Sequence, residues 1–226
     1  MKNRKKQGVV YVETIIVIIP FLILFFGLIQ LGLLLAADLL VQHAAAKAAR
    51  AAIVILPDDS KEAAYSKSPL NKIGKGKGLK AYKKTKKESR YEAIRNAARM
   101  VLSPISPALN KGDSVEAALK TNAGSTIAGM AVWTKQAVAL SFPGAENSYK
   151  TTFAPQENIS IEITYLYKCS IPIGKELVCK SYSRLDKKLK KLLQIKGSML
   201  PAANLNSNWK FVALQARASL PNQGLR

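Results

Sequence analysis

From Gly8 to Ala37 the chain is apolar almost without interruption, reading GVVYVETIIVIIPFLILFFGLIQLGLLLAA. One acid, Glu13, lies near its start, and Lys2, Arg4, Lys5 and Lys6 precede it. A run of this length exceeds the roughly 20 apolar residues that carry a helix across a bilayer. Pro20 sits inside it, where a kink or the loss of one helix bond is expected. Gly27 and Gly32 are small positions at which another helix could approach closely. Past Ala37 the helical pattern continues, rich in Ala and Leu, to Ile55. Asp38, Gln42, His43, Lys47 and Arg50 recur about every fourth residue and form a polar stripe. The pattern predicts one helix from about Val9 to Ile55, lipid-embedded in its first half and amphipathic in its second. Pro57-Asp58-Asp59-Ser60 ends it.

The remainder reads as alternating elements. Residues 58–88 have glycines among lysines and no apolar period, so a solvated, mobile linker is expected. Glu88–Leu102 is an amphipathic helix, with Ala93, Ile94, Ala97, Ala98, Val101 and Leu102 as its apolar face. Residues 108–124 are ambiguous, and Ser125–Lys135 fits a helix. Ala137–Phe142 alternates weakly and fits a strand. Ile159–Tyr167 is the clearest strand: Ile159, Ile161, Ile163, Tyr165 and Tyr167 share one face, and Ser160, Glu162 and Thr164 the other. It runs into Cys169, and the loop IPIGKELV returns to Cys179. Tyr182–Ile195 has helical periodicity with a basic outer face, and Trp209–Leu220 reads as the last strand. The expected organisation is a leader at 1–8, a transmembrane helix at 9–37, a stalk helix at 38–56, a basic linker at 57–88 and an outer domain at 89–226. The fold class is α+β: a long N-terminal helix, then a small antiparallel sheet packed with helices.

Charge assigns the compartments. The net formal charge is +21, concentrated in the leader and in the tract from Lys61 to Arg99. Short basic flanks stay on the cytoplasmic side of a membrane. That puts Lys2 to Lys6 in the cytoplasm and everything after Ala37 across the membrane. Cys169 and Cys179 fall in a compartment that permits disulfides. Their short loop, with Pro172 and Gly174, favours a bridge contributing roughly 2–3 kcal/mol; the alternative is two separate buried thiols.

Glu13 carries the sharpest signal. A carboxylate in an apolar span is costly and normally has a partner or a purpose. If a peptidase cuts after Gly8, five residues before Glu13, Val9 becomes a free amino terminus. The new positive charge can then meet Glu13 of a neighbouring subunit, which fixes axial register between packed helices. The plainer reading is an acid that snorkels at the membrane edge.

The leader KNRKKQG followed by VVYVE and an apolar run broken by Pro20 resembles a type IV prepilin signal. The longer pattern to Ala52 resembles the TadE/TadG-like pseudopilins of tight-adherence (Flp/Tad) pili. Those proteins share a Glu, a Pro seven residues later, a Gly before the amphipathic part and an Ala-rich stretch with Arg. Glu13, Pro20, Gly27 and Ala48-Ala49-Arg50-Ala51-Ala52 match these features. The resemblance implies processing at Gly8 and Val9 by a prepilin peptidase, and a role as pseudopilin or minor pilin beside other pilins and the assembly machinery. Val9 and Thr14 stand where major prepilins commonly carry aromatic residues, which argues against the major filament subunit. So does the large outer domain.

Other chemistry is thin. Two cysteines and one histidine are too few for a closed zinc site, and His43 lies on the stalk. GKGKG at Gly74–Gly78 lacks a preceding strand and a Walker pattern. No Ser/His/Asp set stands out, so neither an enzyme nor a cofactor is expected. The lysine tract and Arg184–Lys191, with Tyr82, Tyr91 and Trp133 as stacking residues, raise a DNA-uptake pseudopilin as one alternative; a solvated basic surface is the plainer account. A membrane-anchored periplasmic binding module is another alternative. An ordinary signal peptide cut near Ala36-Ala37 is disfavoured, because the run far exceeds a usual signal core.

Overall fold

The computed structural model describes residues 4–59, 61–63, 65, 67, 69–73, 82, 89–107, 134, 137–144, 148–181, 184–187, 193 and 209–222, with the backbone alone at 4–10. Helix α1 runs unbroken from Arg4 to Ile55 and contains Pro20. Helix α2 is Arg90–Leu102, followed by a 3-10 turn at Ser103–Ile105. Strand β1 is Val138–Ser141, β2 is Asn158–Lys168, α3 is Gly174–Val178, β3 is Lys180–Ser181 and β4 is Lys210–Pro221. The four strands form one antiparallel sheet in the order β1-β2-β4-β3. This is the expected α+β arrangement.

The upper part of α1 is the spine of the outer domain. Gln30, Leu34, Ala37, Val41, Ala44, Ala45, Ala48, Ala49, Ala52 and Leu56 are buried in steps of three and four, so one stripe of the helix faces inward. Most of these are alanines, which lets the sheet and α2 approach the helix axis closely. Gln42, His43, Lys47 and Arg50 stay exposed on the other side, as the polar stripe predicts. α1 packs against α2, β2, β4 and α3.

β2 is the central strand, with β1 on one side and β4 on the other. Ile159, Ile161, Ile163, Tyr165 and Tyr167 are all buried, as their alternation predicts. Thr164 and Leu166 on the opposite face are buried as well. The β2–β4 ladder pairs Ile163 with Ala216 and Tyr165 with Leu214. Tyr165 reaches the end of α2, where its hydroxyl lies 3.0 Å from Ser106 Oγ.

α2 starts where its sequence says a helix should. The Ser89 hydroxyl accepts the Glu92 amide at 3.3 Å, an N-cap that satisfies one orphan donor. Its buried face is rotated from the expected one. Tyr91, Ile94, Ala98 and Leu102 are buried, and so are Arg90 and Arg95, while Ala93, Ala97 and Val101 are only half-buried. The two arginines have structural work. Arg95 donates to the Val138 carbonyl at 3.2 and 2.9 Å and pairs with Glu92 at 3.4 Å. Arg90 donates to the carbonyls of Ile55 and, at 2.6 Å, Asp58. α1 has no basic residue in its own last turn, so a cation from α2 closes it.

The basic tract after Pro57 is held at several described points. The Asn71 amide bonds the Leu56 carbonyl at 2.9 Å, and the Ile73 amide bonds Thr151 at 2.8 Å. Lys72 bridges to Thr152. Tyr82 is fully buried and stacks on Tyr91, with ring centroids 5.3 Å apart. A tract without apolar period can still be tied down by single large side chains and backbone bonds. The predicted elements at 108–124 and Ser125–Lys135 lie outside the described residues apart from Thr134. Tyr182–Ile195 is described only at 184–187 and 193, where Leu185 and Leu193 are buried.

Candidate functional site

α1 divides by what covers it. Every residue from Tyr11 to Phe25 is exposed. Phe26 and Gly27 are half-covered, and Gln30 is the first fully buried residue. Among the described residues this is the one helix long and apolar enough to cross a membrane. Its uncovered part presents Ile, Leu, Val and Phe on all sides, as a lipid- or helix-facing segment must.

Glu13 projects from this uncovered part. It borders a shallow groove with Thr14, Val17, Ile18 and Phe21. Pro20 lies exposed within the unbroken helix. Gly8 and Val9 fall inside the helical backbone. Glu13 and Pro20 thus sit on free helix, and Gly27 does not: a Cβ there would come within 4.0 Å of Leu177 Cδ1.

Gly27 marks the lower edge of the outer domain. β2 descends to Cys169, which is bridged to Cys179 across a Cα–Cα distance of 6.6 Å. The bridge closes a turn that contains α3, and this turn seats on α1. The Gln30 side-chain carbonyl accepts the Ile171 amide at 3.2 Å. Gly174 lies so close to the helix that a Cβ on it would stand 2.7 Å from Gln30 Cβ and 2.9 Å from the Phe26 carbonyl. The Cys169 amide bonds the Lys210 carbonyl at 3.0 Å. Glu176 pairs with Lys210, and that hydrogen bond holds its carboxyl below the usual carboxylate range. Gln30 was not singled out in the sequence. The available signal was a lone amide in an apolar run, four residues before Leu34 and in phase with the buried alanine stripe.

The stacking role that a nucleic-acid reading assigns to Tyr82 and Tyr91 is excluded by burial. Both rings lie in the core, and their hydroxyls donate to the carbonyls of Lys150 at 2.6 Å and Leu140 at 2.9 Å. Burial raises both hydroxyl pKa values, that of Tyr91 to about 12. Trp133 and most of the lysine tract lie outside the described residues. His43 is exposed on α1. Among the described residues no three His, Cys, Asp or Glu side chains gather as metal ligands would.

Comparison with known families places the lower half of this arrangement. Residues 8–50 match the family model described as TadE-like protein. The matched segment begins at Gly8, within the helical backbone of α1, and ends within the alanine-rich stripe. It includes Glu13, Pro20, Gly27 and Gln30, and stops short of α2 and the sheet. Neither the curated proteins nor the solved structures gave a match.

Proposed function

We propose that this chain, TadE-like over residues 8–50, is a minor pilin or pseudopilin that acts in assembly, priming or tip formation of a tight-adherence pilus. The observation that carries the reading is a bare apolar helix with an acid near its start, matched by the TadE-like family over that segment. A prepilin peptidase removes residues 1–8. The bond after Gly8 lies in the first turns of α1, where a glycine costs the helix about 1 kcal/mol relative to alanine and eases local unwinding. The new Val9 ammonium then pairs with Glu13 of a neighbouring pilin. Two charges that are each costly in hydrocarbon become tolerable together, and only in one axial register. The groove beside Glu13, lined by Val17, Ile18 and Phe21, receives the adjacent helix.

In this reading the leader stays in the cytoplasm, α1 anchors the chain in the bacterial inner membrane, and the sheet domain stands in the periplasm. The partners are other pilins or pseudopilins, the assembly machinery, the peptidase and the bilayer. The role is structural and non-enzymatic.

Mass spectrometry of the mature N-terminus tests the reading, with protein purified from cells with and without the prepilin peptidase. The expected chain begins at Val9 in the first and retains the leader in the second. A retained leader in both cells would instead support a membrane-anchored binding module.

A further inference from the structure

The disulfide-closed turn ends in an apolar tip that no described part of the chain covers. Ile173, Leu177 and Val178 are exposed, Leu177 by 64%. Single exposed apolar residues are ordinary. These three sit together on a turn held by the Cys169–Cys179 bridge, the Gln30–Ile171 hydrogen bond, the close seat of Gly174 and the Glu176–Lys210 ion pair. The exposure therefore belongs to a braced surface.

Its position points to an occupant. Leu177 lies beside Gly27, at the lower edge of the outer domain. Leu24, Leu28, Ile29 and Leu31 on α1 are exposed around the same level. The tip thus meets α1 at Gly27, at a level where the helix also exposes apolar side chains. From Val9 to Gly27 the helix rises about 27 Å, close to the roughly 30 Å of a bilayer's hydrocarbon core. The tip accordingly lies where α1 leaves that core. Val178 also borders a recess with Lys180, Arg184, Leu185 and Asp186. Lys180, Arg184 and Asp186 are exposed there, a charged margin with two bases to one acid beside the apolar tip.

We infer that the Cys169–Cys179 turn is a membrane foot. Ile173, Leu177 and Val178 rest at the boundary of acyl chains and headgroups, in the leaflet on the outer domain's side, and Lys180 and Arg184 meet lipid phosphates. The foot sets the height and tilt of the sheet domain over the bilayer before assembly. The inference rests on α1 being a membrane helix, and the test separates the two.

The full chain is reconstituted in vesicles of zwitterionic and anionic phospholipid, and tryptophan probes are introduced one at a time. Leu177→Trp and Ile173→Trp report the foot, Leu24→Trp reports α1, and Asp59→Trp reports the far end of the domain. Signal from the native tryptophans is subtracted with the unsubstituted chain. The foot probes are expected to emit at shorter wavelength than Asp59→Trp. Lipid brominated near the headgroup should quench them more than lipid brominated at the chain end, with Asp59→Trp unquenched by either. Quenching of Leu24→Trp with neither foot probe affected overturns the foot and leaves the helix reading intact. No quenching of Leu24→Trp overturns both. Quenching of Asp59→Trp equal to that of Leu177→Trp also overturns the foot, because the domain would then lie flat on the membrane.

Discussion

Gln30 and Ile171 stand 141 residues apart in the chain and are joined by a 3.2 Å hydrogen bond from the Ile171 amide to the Gln30 side-chain carbonyl. This contact ties the end of the central strand to the point where α1 enters the outer domain. It makes the helix and the sheet one mechanical unit from Phe26 upward. A pull on the uncovered part of α1 is passed directly to the domain above, through a turn the disulfide keeps closed.

Gly174→Ala probes that seat. The added Cβ meets Gln30 Cβ at 2.7 Å and the Phe26 carbonyl at 2.9 Å. One of these is backbone, so the turn must move off the helix, at a cost of about 1–3 kcal/mol. Chemical denaturation in detergent should show the loss, and limited proteolysis should cut sooner near α3. Unchanged stability and cleavage would mean that the turn does not bear on α1 in solution.

Arg90→Met removes the cation that closes α1. The carbonyls of Ile55 and Asp58 lose this donor, and a charged hydrogen bond of this kind contributes roughly 1.5–3 kcal/mol. Arg90→Lys should recover only part of the loss, because an ammonium lacks the planar fork that spans two acceptors. The melting temperature of the outer domain reads both variants. Equal values for wild type and Arg90→Met would refute the capping role.

Alkali should unfold the outer domain cooperatively. Burial pushes the Tyr91 hydroxyl up to about 12 and raises that of Tyr82, against 10.0 for an unburied tyrosine. Between pH 10 and 12 the unfolded chain therefore holds fewer protons than the folded one. Stability fully present below pH 10 is lost as pH climbs through that window, by on the order of 2 kcal/mol for Tyr91 alone. Arg99 acts with the opposite sign. Desolvation first, and Arg95 second, hold it at about 10, so its folding penalty fades as pH rises. The tyrosines prevail because hydroxyls of Tyr65, Tyr149 and Tyr167 are raised too. Tyr91→Phe should flatten the decline, while losing about 1 kcal/mol at neutral pH with its bond to Leu140. Tyrosinate absorbance and circular dichroism recorded together provide the check, and titration of all tyrosines without unfolding would contradict it.

Glu13→Ala addresses register. On the proposed pairing, the leader should still be removed, while incorporation into pili falls strongly, because the Val9 ammonium of a neighbour would lose its partner in hydrocarbon. Glu13→Gln should fall in between, keeping size and hydrogen bonding without charge. Immunoblots of sheared pili give the measure. Normal incorporation of Glu13→Ala would end the register account and leave processing untouched.

Much of this architecture is written locally. The continuous helix to Ile55 follows from an apolar run that passes into a three-four alternation, with Pro20 the one proline inside it before Pro57. β2 follows from strict alternation between Ile159 and Tyr167, and the cysteine bridge from proximity and compartment. The inward face of α2 was misjudged because arginine is ordinarily a surface residue. Arg90 and Arg95 are buried since each satisfies carbonyls on other elements, and a helix's own period carries no record of those. Ile73 and Tyr82 escaped for a similar reason: an isolated anchor has no periodicity to betray it.

By itself the sequence determined that a long apolar helix carries an acid and a proline at fixed spacing, and that an antiparallel α+β domain follows it. Hydrophobic period and charge are properties of neighbours along the chain, so they can be read there. Only the tertiary structure decided where the free helix ends. That boundary lies at Gly27, because Gln30, Gly174 and the bridged turn meet there, and contacts between residues so far apart exist only once the sheet has brought them to the same height on α1.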